Sequence, residues 1–211
     1  TEPIAYLGYG EAMELSRLDT PILHPATVEP LMDTGIPLEI RHLHGSMDKS
    51  AATVVGPNVY EKNVIKAIGC LPSVVSIHCQ TKSLEQQSGQ LGEVLVRFAE
   101  AEISCWHLDA QPGELRWIVS QHDSIHAQRL IEEHFGSTTI EPYTAIVSLV
   151  GNRDGNDLDG LRNQDLEELE IEVLSEAEHA IRLLTKSPNI VEVLHHLSQK
   201  YGLRQSLEHQ E

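Results

Sequence analysis

His122 and His126 stand four residues apart, a spacing that puts two imidazoles on one helical face where they could share a metal ion. No third ligand lies near them in sequence and His122 falls at the helix start, so the pair reads as surface residues. His42 and His44 alternate at a strand end and lack a third ligand in the same way. Asp154, Asp157 and Asp159 occupy a Gly- and Asn-rich loop, but the EF-hand spacing, with Gly at the sixth position and a carboxylate at the twelfth, cannot be fitted to them. They read as a solvated turn. The thiols Cys70, Cys79 and Cys105 are odd in number, share no Cys-x-x-Cys spacing and sit among apolar residues, as buried reduced thiols of a cytosolic protein do. The acidic run from Asp165 to Glu178 is interleaved with Leu, Ile and Val, the pattern of a solvated face on packed elements.

Catalytic signatures are missing. There is no Gly-x-x-x-x-Gly-Lys-Ser/Thr, no Gly-x-Gly-x-x-Gly after a strand, no Gly-x-Ser-x-Gly and no His-Glu-x-x-His. No catalytic residue and no metal ligand is therefore expected. The segment from Gln80 to Gly89 keeps two readings. It joins a strand to a helix, so the backbone N–H groups at the helix start could hold a carboxylate or phosphate, or it could be an ordinary crossover loop.

The elements that must position these residues follow from periodicity. Glu11 to Leu18 is helical and Pro21 ends it; a second helix runs from Pro25 through Val28, Leu31 and Met32 to Gly35. Ile36, Leu38 and Ile40 alternate as a strand, Ser46 to Ser50 is a turn, and Thr53 to Val55 is strand again. From Asn63 the pattern changes and repeats. The first copy has the strand Val74 to His78, a helix with Leu91, Val94, Leu95 and Phe98 on one face, the strands Ile103 to Leu108 and Leu115 to Val119, and a helix carrying Ile125, Leu130, Ile131 and Phe135. The second copy runs through Ala145 to Val150, a short helix near Leu161 to Leu169, Ile171 to Leu174, Ala180 to Leu184 and Ile190 to Tyr201. Each copy closes on an aromatic–Gly pair, Phe135-Gly136 and Tyr201-Gly202, with Gly suited to a left-handed C-cap. One extra strand, Val64 to Ile68, precedes the pair and joins one of the two sheets.

With 15 Lys+Arg against 32 Asp+Glu, the formal charge of −17 repels phosphate backbones and anionic lipid heads, which excludes nucleic acid and membrane surfaces as partners. No apolar run reaches the ~20 residues that span a bilayer, and no signal peptide opens the chain. Thr1 stands in place of Met and Ile4 to Leu7 already reads as structured, so the chain is expected to be a segment of a longer protein.

Leu7-Gly8-Tyr9-Gly10-Glu11-Ala12-Met13-Glu14-Leu15, then Ile22-Leu23-His24-Pro25, then Ile36-Pro37-Leu38-Glu39-Ile40 resembles the aspartokinase family in order and spacing. These stretches are similar to its Tyr-x-Glu-Ala-x-Glu-Leu helix, its Val-Leu-His-Pro segment and the Ile-Pro-Ile strand that closes the kinase domain. The resemblance implies an α+β chain: residues 1–60 as the C-terminal remnant of a kinase domain, 61–142 as a first ferredoxin-like βαββαβ ACT module, and 143–211 as a second, shortened one. The departures matter. Asp19-Thr20-Pro21 replaces the family's Gly-Ala-Lys, whose Lys reaches the nucleotide phosphates, and Pro21 has no amine to offer. His42-Leu43 stands for Asn-Thr, Ala52-Thr53 for Gly-Thr, and the Lys-Phe-Gly-Gly nucleotide segment is absent.

The resemblance therefore implies a regulatory, amino-acid-sensing and dimerising segment of a lysine/threonine-pathway kinase, cytoplasmic, inactive alone, with ATP and Mg belonging to the parent and no cofactor in this chain. Its partners would be a second copy and an effector, lysine or threonine; the alternative is an ACT dimerisation module whose effector site has decayed. The parent could also carry a second pathway enzyme. The implied effector site comprises Leu84, Gln87, Gly89, Gln90 and Leu91, where the loop meets a helix beginning near Gln90, and Trp106, His107, Ala110 and Gln111 on the following strand. Lysine-sensing relatives have an acidic residue where Trp106 stands, so the α-carboxylate would supply most of the hold on a ligand.

Overall fold

The computed structural model describes residues 4–18, 23–41, 52–59, 64–82, 84–152 and 163–203. His42, His44, Ser46 to Ser50, Pro21, Asp154, Asp157 and Asp159 lie outside them. The chain forms two units, Thr1–Leu71 together with Ile146–Glu211, and Pro72–Ala145.

The first unit opens with strand β1 (Tyr6–Gly8), helix α1 (Tyr9–Ser16), helix α2 (Pro25–Met32), and strands β2 (Leu38–Ile40) and β3 (Thr53–Gly56). β1 runs parallel to β3, with Leu7 opposite Val55, and β2 runs antiparallel to β3 on its other side. Leu7, Tyr9, Ala12, Val28 and Val55 form the buried cluster between this sheet and the two helices. Pro25 opens α2 at the one position where a missing N–H is harmless, and the His24 ring accepts the Ala26 amide. Gly35, at φ +67, takes the left-handed turn that leads to β2.

Strand β4 (Val64–Gln80) then runs without interruption. The two separate strands expected at Val64–Ile68 and Val74–His78 are one. Gly69 and Pro72 look like turn punctuation, yet the strand passes through them, with Ser73 absorbing the irregularity at φ +56. It continues into helix α3 (Leu84–Glu100), strands β5 (Cys105–Gln111) and β6 (Glu114–Ser120), helix α4 (Ser124–Phe135), strand β7 (Thr138–Asn152), helix α5 (Asn163–Glu168), strands β8 (Ile171–Glu176) and β9 (Ala180–Thr185), and helix α6 (Ile190–Lys200).

Within the second unit the strand order is β5-β6-β4-β7. Numbered along its own βαββαβ path this is 2-3-1-4, the ferredoxin-like arrangement. Within the first unit the order β4-β7-β9-β8 has the same form, and the early half of β4 takes the fourth-strand place. That is the expected extra strand, in a sheet. Both glycines have positive φ at a helix end: Gly136, the C-cap of α4, has φ +82 with ψ −153, outside the left-handed helical region, and Gly202, one residue past the Tyr201 C-cap of α6, has φ +66.

Val75, Ile77, Cys79, Val94, Phe98, Leu115, Trp117, Val119, Ala127, Leu130 and Ile131 make the core of the second unit, with Phe98 and Trp117 at 5.5 Å between ring centroids. Leu95 and Ile125, expected on buried helical faces, are 39% and 77% exposed. Leu95 is one residue, about 100°, round from Val94. Ile125 is two residues ahead of Ala127, so it points away from the stripe of Ala127, Leu130 and Ile131.

Candidate functional site

The residues of the expected effector site fall into separate settings. α3 begins at Leu84, six residues before the helix start read from sequence, so the N–H groups of Gly89, Gln90 and Leu91 sit inside its hydrogen-bond ladder. The amides without a partner inside the helix are instead those of its first turn, Leu84 to Gln87. Gly89 is exposed, with open space where a Cβ would point. Leu91 packs against the core. Gln90 turns to α4, where its Nε2 donates to the His134 carbonyl at 3.2 Å. The physical reason for the early start is that Leu84-Glu85-Gln86-Gln87 holds only good helix formers.

On β5, Cys105 pairs with Val119 and His107 with Ile118, so Trp106 is the extra residue of a bulge. Past the bulge, Leu108 and Ala110 pair with Trp117 and Leu115 of the helix-covered face, while His107, Asp109 and Gln111 pair with Ile118, Arg116 and Glu114. His107 and Gln111 therefore share one face, Ala110 lies on the other, and Trp106 stands between the two alternations. Its indole nitrogen is buried without a hydrogen-bond partner.

The face opposite the helices carries a network that sequence reasoning missed. Arg116 Nε donates to Ser76 Oγ at 2.9 Å, Ser76 Oγ lies 2.8 Å from His78 Nε2, and His78 Nδ1 lies 2.7 Å from Glu114 Oε1. On the other side an Arg116 NH2 group donates to the Tyr143 hydroxyl at 3.3 Å, and that hydroxyl donates to Glu141 Oε2 at 2.9 Å. The period-2 spacing Ser76-x-His78 against Glu114-x-Arg116 was the available signal. His78, Gln80 and Glu114 border a groove of about 500 Å³ closed on its other side by residues 137–141.

Ser76, His78 and Glu114 have the connectivity of a hydrolytic triad. The chemistry does not follow. Ser76 is fully buried, so no acyl group can reach its Oγ, and Arg116 donates into the lone pair that an attack would use. The network is a satisfied polar layer that fixes side chains across β4, β6 and β7.

The thiols are equally quiet. Burial raises the pKa of Cys70 and Cys79, and pushes Cys105 up to about 11, so all three are thiols rather than nucleophilic thiolates at neutral pH. His122 and His126 are both exposed, and among the described residues no group of three or more His, Cys, Asp or Glu side chains could hold a metal ion. No helix among the described residues is long and apolar enough to cross a membrane. The hydroxyl and amide of Thr138 donate to Glu132 and lower its pKa, tying the end of α4 to the start of β7.

No protein-family model matches the chain. Its structure superposes 94% of its length on 49% of the aspartate kinase of Clostridium acetobutylicum, at a TM-score of 0.77 and 16% identity. It also superposes 65% of its length on 98% of the regulatory subunit of aspartate kinase from Thermus thermophilus, at a TM-score of 0.51 and 15% identity. The chain shares its fold with the parts of these proteins that it covers. E. coli aspartokinase III in complex with lysine and aspartate shares that fold over 94% of this chain and 46% of its own, at a TM-score of 0.67 and 21% identity. In sequence, the bifunctional aspartokinase/homoserine dehydrogenase of Buchnera aphidicola is 22% identical over 209 residues, covering 90% of this chain and 25% of that protein. The chain thus spans about a quarter of that aspartokinase-containing protein and just under half of the aspartate kinases it superposes on.

Proposed function

We propose that this chain is the regulatory, amino-acid-sensing and dimerising portion of an aspartokinase-like enzyme of lysine/threonine biosynthesis, held in the cytoplasm within a longer polypeptide. The observation that carries the reading is the strand order 1-3-2 beside a fourth strand, present in both units and preceded by an α/β tail. Residues 1–60 are then the kinase-domain end, 61–142 the first ACT module and 143–211 the second. ATP and Mg serve the parent's catalytic part. The effector, lysine or threonine, docks by its α-carboxylate at the start of α3, at the Gln111 end of β5. The Trp106 bulge lies at the opposite end of that strand, level with Val119, so it meets the site only across a dimer that pairs two β5 strands antiparallel. Trp106 offers an ammonium group a cation–π contact of about 0.5–2 kcal/mol in place of an ion pair. Dimerisation suits β5, which ends the strand order of the second unit and presents one row of backbone groups to a second copy.

One observation favours a second reading, a dimerisation module with a decayed site: the amides of Gly89 to Leu91 lie inside α3 and are unavailable to a ligand. Thermal melts of the chain with each of the twenty amino acids separate the two. A ligand at 100 times its Kd adds about 2.7 kcal/mol to the native state, so sensing predicts a saturable rise in Tm with lysine or threonine. No rise with any amino acid, from a chain that sediments as a dimer, would establish the decayed module. No rise from a monomer would refute both.

A further inference from the structure

Gly8 and Gly10 flank the first residue of α1, and neither has the positive φ that would require glycine. Both are there for space. A Cβ on Gly8 would lie 2.5 Å from Asn58 Oδ1, and one on Gly10 would lie 2.0 Å from His179 Cδ2. The two neighbours are joined. Asn58 Oδ1 accepts the Gly10 N–H at 3.0 Å, which turns the Asn58 amide nitrogen toward His179 Nε2 at 3.3 Å. The His179 carbonyl in turn accepts the Gly151 N–H at 3.0 Å, at the end of β7, and the turn that presents the ring is closed by Ala177 N–H to Ala180 O at 2.8 Å. A turn of α1 further on, Arg182 of β9 pairs with Glu14.

We infer that the β8–β9 hairpin is a clamp on the β1–α1 turn: His179 fills the space above Gly10 and holds Asn58 on the Gly10 amide, while Arg182 grips Glu14. A shift of β7 or of the hairpin is thereby passed to the start of α1 through a ring and an amide that have one way to fit. The clamp joins the segment similar to a kinase-domain end with the last module inside a single unit. Its consequence for a kinase rests on the proposed function, but its existence requires neither a kinase nor an effector.

A double-substitution cycle in the whole chain tests it. Gly10→Ala puts a methyl group into the His179 ring and is expected to lower the urea midpoint. In a His179→Ala background that space is empty, and the same substitution is expected to leave the midpoint unchanged or raise it, because alanine favours a helix over glycine. Asn58→Ala gives an independent readout should His179→Ala fold poorly. Asn58 is exposed, and its loss removes the acceptor from the Gly10 N–H, so hydrogen exchange at Gly10 is expected to quicken about tenfold or more. Equal loss from Gly10→Ala in both backgrounds, or a Gly10 exchange rate that Asn58→Ala does not alter, would overturn the clamp.

Discussion

Replacing Lys66 with Met is expected to destabilise the first unit by about 3–5 kcal/mol, because it strands a buried carboxylate. Glu11 has a side chain only 3% exposed and that of Lys66 is 9% exposed. Glu11 Oε2 accepts the Gly8 N–H at 2.7 Å and the Lys66 ammonium at 3.0 Å, while Oε1 is buried with no hydrogen-bond partner. Without the ammonium, one N–H remains to balance a whole charge out of water. Lys66→Met combined with Glu11→Gln removes both charges and is expected to recover most of the loss. The exposed pair Arg41–Glu39, with side chains 47% and 52% exposed at 2.6 Å, is the control. Arg41→Ala should lower stability by about 0–1 kcal/mol. Urea unfolding of the four chains measures all of this, and a Lys66→Met loss no larger than that of Arg41→Ala would contradict the buried-pair account.

Trp117→Ala is expected to lower the stability of the second unit by about 3–5 kcal/mol. Trp117 is fully buried and packs against Phe98, and the cavity left behind would open between β6 and α3 where Val75, Ile77 and Val94 also meet. A domain holds only about 5–15 kcal/mol in all, so this one truncation is expected to unfold much of the unit at 37 °C. Trp106, at the bulge and half-buried, is the comparison: Trp106→Ala removes no member of that core cluster and is expected to have the smaller effect. Equal losses from the two substitutions in urea melts would mean that the core is placed wrongly.

How much of this was legible in the sequence differs between elements. The helix faces around Val94 and Phe98, and around Leu130 and Ile131, follow from 3.6-residue spacing, and Gly136 and Gly202 mark the ends of α4 and α6 because positive-φ backbone favours glycine. The single strand β4 was not legible, since Gly69 and Pro72 carry turn signals that tertiary pairing overrode. The Trp106 bulge was invisible because one inserted residue leaves an ordinary-looking alternation on either side of it. The start of α3 could have been found from Ser83-Leu84-Glu85-Gln86, whose Ser-x-x-Gln spacing is that of a capping box. The Ser76–His78–Glu114–Arg116 layer was in plain view as alternate polar residues, but only strand pairing shows that they meet.

The central claim, that this fold still senses an amino acid at the α3 start, facing the Trp106 bulge of a second copy, is tested most directly by calorimetric titration of the whole chain with lysine and with threonine. The account predicts saturable but weak binding of one of them, lost when its α-carboxylate is converted to an amide and weakened when Trp106 is replaced by Ala. No heat from either amino acid, or tight binding that survives both the amidation and the substitution, would contradict it.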